Sequence, residues 1–135
     1  MGYLLDTNVV SEIQKPRPAP PVLAWWQETP ADELFLSVLT IGEIRQGIIR
    51  LATRDPQRAA RYEQWQDQLV RAFGDRIASV DLAVTQLWGQ LNAARPTAEI
   101  DGLIAATAMA NDWTLVTRNV RHMARTGAPI FNPFD

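Results

Sequence analysis

Gly2-Tyr3-Leu4-Leu5-Asp6-Thr7-Asn8 is the stretch whose reading decides the fold. A short uncharged run stops abruptly at an aspartate, and the residues that follow favour helix starts. That pattern describes a strand buried on both faces that feeds a helix beginning at Val9 and running to Ile13. The pattern recurs along the chain. Leu34-Phe35-Leu36-Ser37 reads as a second strand, and from Thr40 onward Ile41, Ile44, Ile48 and Leu51 mark a helix stripe at the 3.6-residue period. Ile77-Ala78-Ser79-Val80 is a third strand, with Asp81 capping a helix to about Ala94. Residues 113–117 form a fourth strand and 129–131 a short fifth. Three further helices are expected: residues 22–28 behind a proline cluster, 56–73 behind an Asp55 cap, and an Ala-rich, mostly buried one opened by Asp101 and reaching Ala110. Strands alternating with helices argue for an α/β layer structure around a mainly parallel sheet. No repeat, low-complexity tract or linker interrupts the pattern, so residues 1–135 are expected to form one domain.

Composition narrows the chemistry. Thirteen basic residues against fifteen acidic give a net charge of −2, so any nucleic-acid contact must be local or assisted by a metal or partner. Without cysteine there is no thiol nucleophile, disulfide or Cys-bound zinc, and the single histidine, His122, excludes a histidine pair within the chain. No apolar run approaches the roughly 18 residues of a membrane span, and no signal pattern opens the chain. A soluble, cytoplasmic protein is expected. Lys15 is the only lysine and the other twelve cations are arginines, suited to planar recognition of phosphate or carboxylate.

Open parallel sheets place their sites beyond the carboxyl ends of the strands, where the strand order reverses. Asp6 ends the first strand, Glu43 lies in the first turn after the second, and Asp101 opens the buried helix. Converging carboxylates raise one another's pKa and cost stability unless a cation neutralises them, and oxygen ligands suit magnesium or manganese. Such an ion polarises a phosphodiester and activates water. Each acid also has a plainer reading: Asp6 and Asp101 as helix caps, Glu43 as a polar residue favoured by the helix dipole.

The residues also resemble a known family. Leu4-Leu5-Asp6-Thr7-Asn8 is similar to the opening of PIN-domain proteins, especially the VapC-type toxins of bacterial toxin–antitoxin pairs. Residues 37–47, with Glu43 inside and Gly47 trailing, resemble the second motif, and Asp101 to Ala108 the third. Leu115-Val116-Thr117-Arg118-Asn119 resembles the fourth, and Phe131-Asn132-Pro133-Phe134 the tail of one branch. Each motif is weak alone, but five in order along the chain are specific. The resemblance implies a three-layer α/β/α PIN fold, an endoribonuclease dependent on Mg2+ or Mn2+, and a homodimer. It also implies a cognate antitoxin, with operator DNA met only through that antitoxin. Carried over by position, Asp6, Glu43 and Asp101 become metal-binding acids, and Asn119 takes the fourth catalytic position, where many relatives have aspartate. Thr7, Asn8, Thr40 and Thr117 become groups that orient carboxylates or waters.

Arg45, Arg118 and Arg121 flank these motifs and are candidates for RNA phosphates, or ordinary surface arginines. Glu99 and His122 are nearer to plain loop residues than to site residues. Trp25 and Trp26 point about 100° apart on a helix, so one is expected to cover the core while the other meets a partner chain. Trp65 and Trp88 fit amphipathic stripes and are expected in the core. Asn119, a neutral ligand, keeps open a second reading: a catalytically weak PIN-like module acting through an antitoxin–operator complex. A receiver-type phosphate domain needs a lysine after a late strand, and Lys15 lies near the start, so that reading is rejected.

Overall fold

The computed structural model describes all residues, 1–135. Five strands form one sheet: β1 (Tyr3–Leu5), β2 (Leu34–Ser37), β3 (Ile77–Ala78), β4 (Thr114–Val116) and β5 (Ile130–Phe131). Every pairing is parallel, in the order β3-β2-β1-β4-β5, with Leu4 opposite Phe35 on one side and Leu115 on the other. The helices are α1 (Thr7–Ile13), α2 (Pro20–Glu28), α3 (Val38–Ala52), α4 (Pro56–Phe73), α5 (Leu82–Ala94), α6 (Glu99–Ala110) and α7 (Val120–Ala124).

Three layers follow from the two-residue period of the central strands. Leu5 and Val116 point to one face and join Val9, Val22, Ile44, Ile48 and Phe73, so α1 to α4 cover that side. Leu4 and Leu115 point to the other, where they meet Ile104 and Ala108 of α6 and Met123 of α7. Leu4, Leu5, Leu115 and Val116 have no exposed surface, which is why these strands read as unbroken apolar runs. The three-layer α/β/α expectation is therefore met, with a sheet that is wholly rather than mainly parallel.

Several boundaries move, and each for a visible reason. Helix α3 starts at Val38 rather than Thr40 because the Ser37 hydroxyl accepts the Leu39 N–H at 3.0 Å and caps it. Helix α1 starts at Thr7, directly after its Asp6 cap, and α2 at Pro20, since proline is tolerated in a first turn. Strand β3 ends at Ala78, two residues short of Val80. Helix α6 begins at Glu99, so Asp101 lies inside its first turn and does not cap it. Helix α7 was not expected; its five residues are too few to show a period.

Trp25 and Trp26 are both partly buried against the larger core, with Trp25 edge-on to Tyr3 at 5.4 Å, so both, and not one alone, cover it. Trp65 packs on the same core. Trp88 lies half-buried against α6 at a close approach: a Cβ at Gly102 would come within 3.1 Å of the Trp88 Nε1 and closer still to the Thr97 hydroxyl, so one of these side chains would have to shift.

Candidate active site

The chain enters the sheet at its centre. After β1 it builds outward through β2 and β3, then returns to add β4 and β5 on the opposite side of β1. The order therefore reverses between β1 and β4, and the crevice beyond their carboxyl ends is where a doubly wound sheet offers a site. Asp6 follows β1 and Thr117 follows β4. They meet there: the Thr117 hydroxyl donates to Asp6 Oδ2 at 2.8 Å, and both residues are buried.

The other Asp6 oxygen accepts the Thr7 N–H at 2.8 Å, so one carboxylate both caps α1 and faces the crevice. The Asn8 amide spans the same junction. Its Nδ2 lies 3.4 Å from the Thr117 hydroxyl and 3.5 Å from Asp6 Oδ2, and its Oδ1 accepts the Arg118 N–H at 3.0 Å. Thr117 also accepts the Asn119 N–H at 2.9 Å, which fixes the hydroxyl's orientation toward Asp6. Glu43 comes in from α3: its Oε1 accepts the Thr7 hydroxyl at 2.6 Å. Thr7 thus ties two acids together, its amide to Asp6 and its hydroxyl to Glu43.

The electrostatics are those of an acid cluster without a cation. Burial pushes the Asp6 carboxyl above its ordinary value, against the Thr117 hydroxyl and Thr7 amide, which favour the charge, and the Asp101 charge adds a further push. Burial likewise raises Glu43, the Thr7 hydroxyl opposes it, and both Asp6 and Asp101 raise it again. Asp101, half-buried in the first turn of α6, accepts no hydrogen bond from the chain and has no salt-bridge partner. No three acidic or histidine side chains, as placed, stand close enough to enclose an ion. Hard cations need less than that, since magnesium is typically held by one or two carboxylates and completes its shell with water and substrate. The donors gathered here are all oxygens, the chemistry such ions prefer.

The remaining sequence candidates separate. Thr40 lies one turn before Glu43 on α3, and its hydroxyl is buried with no partner in the protein. Asn119 precedes α7 with an exposed side chain that makes no hydrogen bond. Arg118 stacks on the Phe134 ring at 4.6 Å, while Arg121 and His122 are exposed on α7. Arg45 faces away: two residues beyond Glu43 is about 200° round a helix, and it pairs with Glu63 of α4 at 3.2 Å. Glu99 is exposed at the α6 start.

Sequence reasoning missed two features near the site. Glu12, near the end of α1, is only 8% exposed and binds Lys15 Nζ at 2.9 Å and the Ala19 N–H at 2.9 Å. Its i,i+3 spacing to Lys15 was the available signal. The second is a groove of about 420 Å³ running from Thr7 and Glu43 between α1, α3 and α4, whose wall includes Arg54, Arg58, Tyr62 and Trp65. No sequence signal gathers those residues, because α3 and α4 must first pack together.

Comparison with known proteins identifies the family. The model of the PIN domain family matches residues 3–129. Toxin FitB of Neisseria gonorrhoeae is 31% identical over 97% of each chain. The VapC ribonuclease Y4jK of Sinorhizobium fredii is 31% identical over 98% of this chain and 97% of its own. The solved structure of FitAB bound to the IR36 DNA fragment superimposes with a TM-score of 0.87, at 29% identity, over 98% of this chain and 96% of that one. On these grounds the chain belongs to the PIN-domain family, in its VapC-type toxin branch.

Proposed function

We propose that this chain, acting as one unit from 1 to 135, is the ribonuclease toxin of a toxin–antitoxin pair, and that it hydrolyses RNA phosphodiesters with magnesium or manganese held by Asp6, Glu43 and Asp101. The observation that carries the reading is the switch-point cluster. Asp6 is buried with neutral hydrogen-bond donors and other acids around it, and no cation within the chain answers its charge. Relatives named toxin and ribonuclease supply the reaction class.

When bound there, the ion supplies charge neutralisation at the phosphate and a more acidic water. The chain's own residues do the positioning. Thr117 and the Thr7 amide fix the two Asp6 oxygens, one each, so that the carboxylate cannot rotate. Thr7 does the same for Glu43. Asp101, without salt-bridge partners in the chain, would be free to join Asp6 and Glu43 in holding the ion. Asn119 takes the fourth position as a neutral amide, which leaves the cluster one charge short of an all-carboxylate set. Arg118 and Arg121, exposed on the β4–α7 side, would meet RNA phosphate. The antitoxin is expected to cover the acidic rim with a cationic segment and to bring any operator DNA with it. FitAB bound to a DNA fragment is a precedent for such an assembly.

The test is cleavage of a mixed RNA pool by purified protein with magnesium, with manganese and with EDTA, alongside Asp6→Asn. Cleavage that needs metal and disappears in the variant is the expected result. Equal inertness of both proteins would favour the second reading, a binding module without turnover, which the neutral, exposed Asn119 supports.

A further inference from the structure

The groove that starts at Glu43 differs in character from the acidic site it leaves. Beyond Thr7 and Glu43 its walls carry Arg54 and Arg58, with Lys15 at the α1 side, and Glu43 is its only carboxylate. Lys15 is answered by Glu12, but neither arginine has a carboxylate within 4.0 Å. Arg58 instead lies over the Tyr62 ring at 5.5 Å with a guanidinium nitrogen 3.2 Å from its hydroxyl, and Tyr62 meets Trp65 edge-on at 6.4 Å. Arg61 extends the cationic track into the adjoining hollow that Arg58 and Tyr62 also line. In a chain of net charge −2, this is a local concentration of unanswered positive charge interleaved with aromatic faces.

Gly47 is a second, independent observation. It lies in the middle of α3, in the groove wall, and a Cβ built there would meet nothing within 4 Å. No approach within the chain requires glycine at this point, although glycine inside a helix costs stability. What its missing side chain preserves is open space directly beside Glu43, one helical turn away.

We propose that this groove is a nucleotide subsite. It seats the single-stranded RNA next to the phosphodiester being cut, with a base against Tyr62 and Trp65 and backbone phosphates against Arg54 and Arg58, over a floor kept open by Gly47. The proposal rests on the ribonuclease reading and adds where the strand leaves the metal site. Unpaired bases stack on aromatic rings without regard to sequence, and arginines follow the backbone.

The test is anisotropy of a fluorescein-labelled, random-sequence single-stranded RNA 12-mer titrated with the protein in EDTA, where cleavage is suppressed. Wild type is compared with Gly47→Leu and with the double variant Arg54→Gln/Arg58→Gln, and thermal melts show that each is folded. Gly47→Leu points into open space, so it keeps the test usable should the arginine pair disturb folding. Both variants are expected to bind RNA at least fivefold more weakly. The arginine pair should also flatten the log–log salt dependence by about 1.4, at about 0.7 per lost phosphate contact. Binding equal to wild type overturns the subsite, and wild-type cleavage measured in parallel leaves the nuclease reading standing. Variants that bind RNA normally but lose the cognate antitoxin overturn it in favour of a peptide groove. A wild type that neither binds nor cuts RNA removes the nuclease reading and this inference together.

Discussion

Asp6 and Glu12 stand at opposite ends of α1, and both residues are buried, at 6% and 8% exposure, yet the protein treats their charges in opposite ways. Glu12 has been given a cation. Lys15 and the Ala19 amide bind its two oxygens, and these contacts draw its pKa below the ordinary value, with Arg118 adding to the effect. It lies shallow beneath the α1–α2 corner, and desolvation is only the third influence on it. Asp6 lies deep, desolvation dominates, its donors are neutral, and the charge that acts on it is another acid, Asp101. A buried carboxylate that folding has already satisfied is a fastening. One that folding leaves raised, oriented and without a cation is prepared for something from outside.

The largest effect is expected at the unanswered acid. Replacing groups that merely orient metal ligands costs roughly 10–100-fold, so removing a ligand should cost more. Asp6→Asn should therefore lower metal-dependent RNA cleavage by over about 100-fold in a single-turnover assay. The same variant separates ligand from fold. Manganese at about 100 times its dissociation constant should stabilise wild type by about 2.7 kcal/mol in thermal unfolding, and Asp6→Asn should show almost none of that gain. A variant that still responds to metal and still cuts would put the ion elsewhere and dissolve the contrast with Glu12.

Next come the residues that hold the acids. Thr117→Val removes the hydroxyl on Asp6 Oδ2 and leaves the Asn119 N–H without its acceptor. A 10–100-fold loss in apparent metal affinity is expected, read from a manganese titration of cleavage, with about 1 kcal/mol lost in urea unfolding. Thr117→Ser should restore the affinity; if it does not, the hydroxyl is merely structural. Thr7→Val should do less, about tenfold, because the Thr7 amide still binds Asp6 and only the bond to Glu43 is lost. An effect larger than that of Thr117→Val would make Glu43, and not Asp6, the acid whose orientation matters more.

How much of this could be read beforehand depended on range. Leu4-Leu5-Asp6 announced itself because a strand buried on both faces leaves no polar residue until it ends, and the first polar residue then falls at the sheet rim. Ser37 is equally visible as a strand end, but its capping bond to the Leu39 N–H starts α3 at Val38, ahead of the apolar stripe that marks the helix in the sequence. The Thr117–Asp6 bond joins residues 111 positions apart and exists only because β1 and β4 are neighbours, an ordering that no local pattern encodes. Arg45 illustrates the opposite error. It is close to Glu43 in sequence, yet the helix turns it toward Glu63 and α4. Arg54 and Arg58 are more distant in sequence yet line the same groove as Glu43, because α3 and α4 pack side by side.

The smallest effect is expected at the satisfied acid, and its pH dependence is the finest test of the contrast. Glu12→Gln keeps an oxygen for the Ala19 N–H but loses the charge facing Lys15, whose side chain is 54% exposed. Screening by water limits such a pair to about 0.5–1 kcal/mol, and cleavage should not change. Because the folded pKa of Glu12 lies below its ordinary value of 4.5, its stabilisation is complete at pH values above 4.5. That stabilisation is lost as pH falls from there through the folded value. The difference in unfolding free energy between wild type and Glu12→Gln should therefore be level around neutrality and close in acid. Asp6, raised in the folded state, has the reverse sign: its charge costs stability at neutral pH, and that cost is relieved as pH falls through the raised value. Urea unfolding of wild type, Glu12→Gln and Asp6→Asn in EDTA, at pH 7 and pH 4, reads both signs in one experiment. If the Glu12→Gln gap widened in acid, or its cleavage fell with that of Asp6→Asn, the two buried carboxylates would belong to one network, and α1 would carry a single extended site.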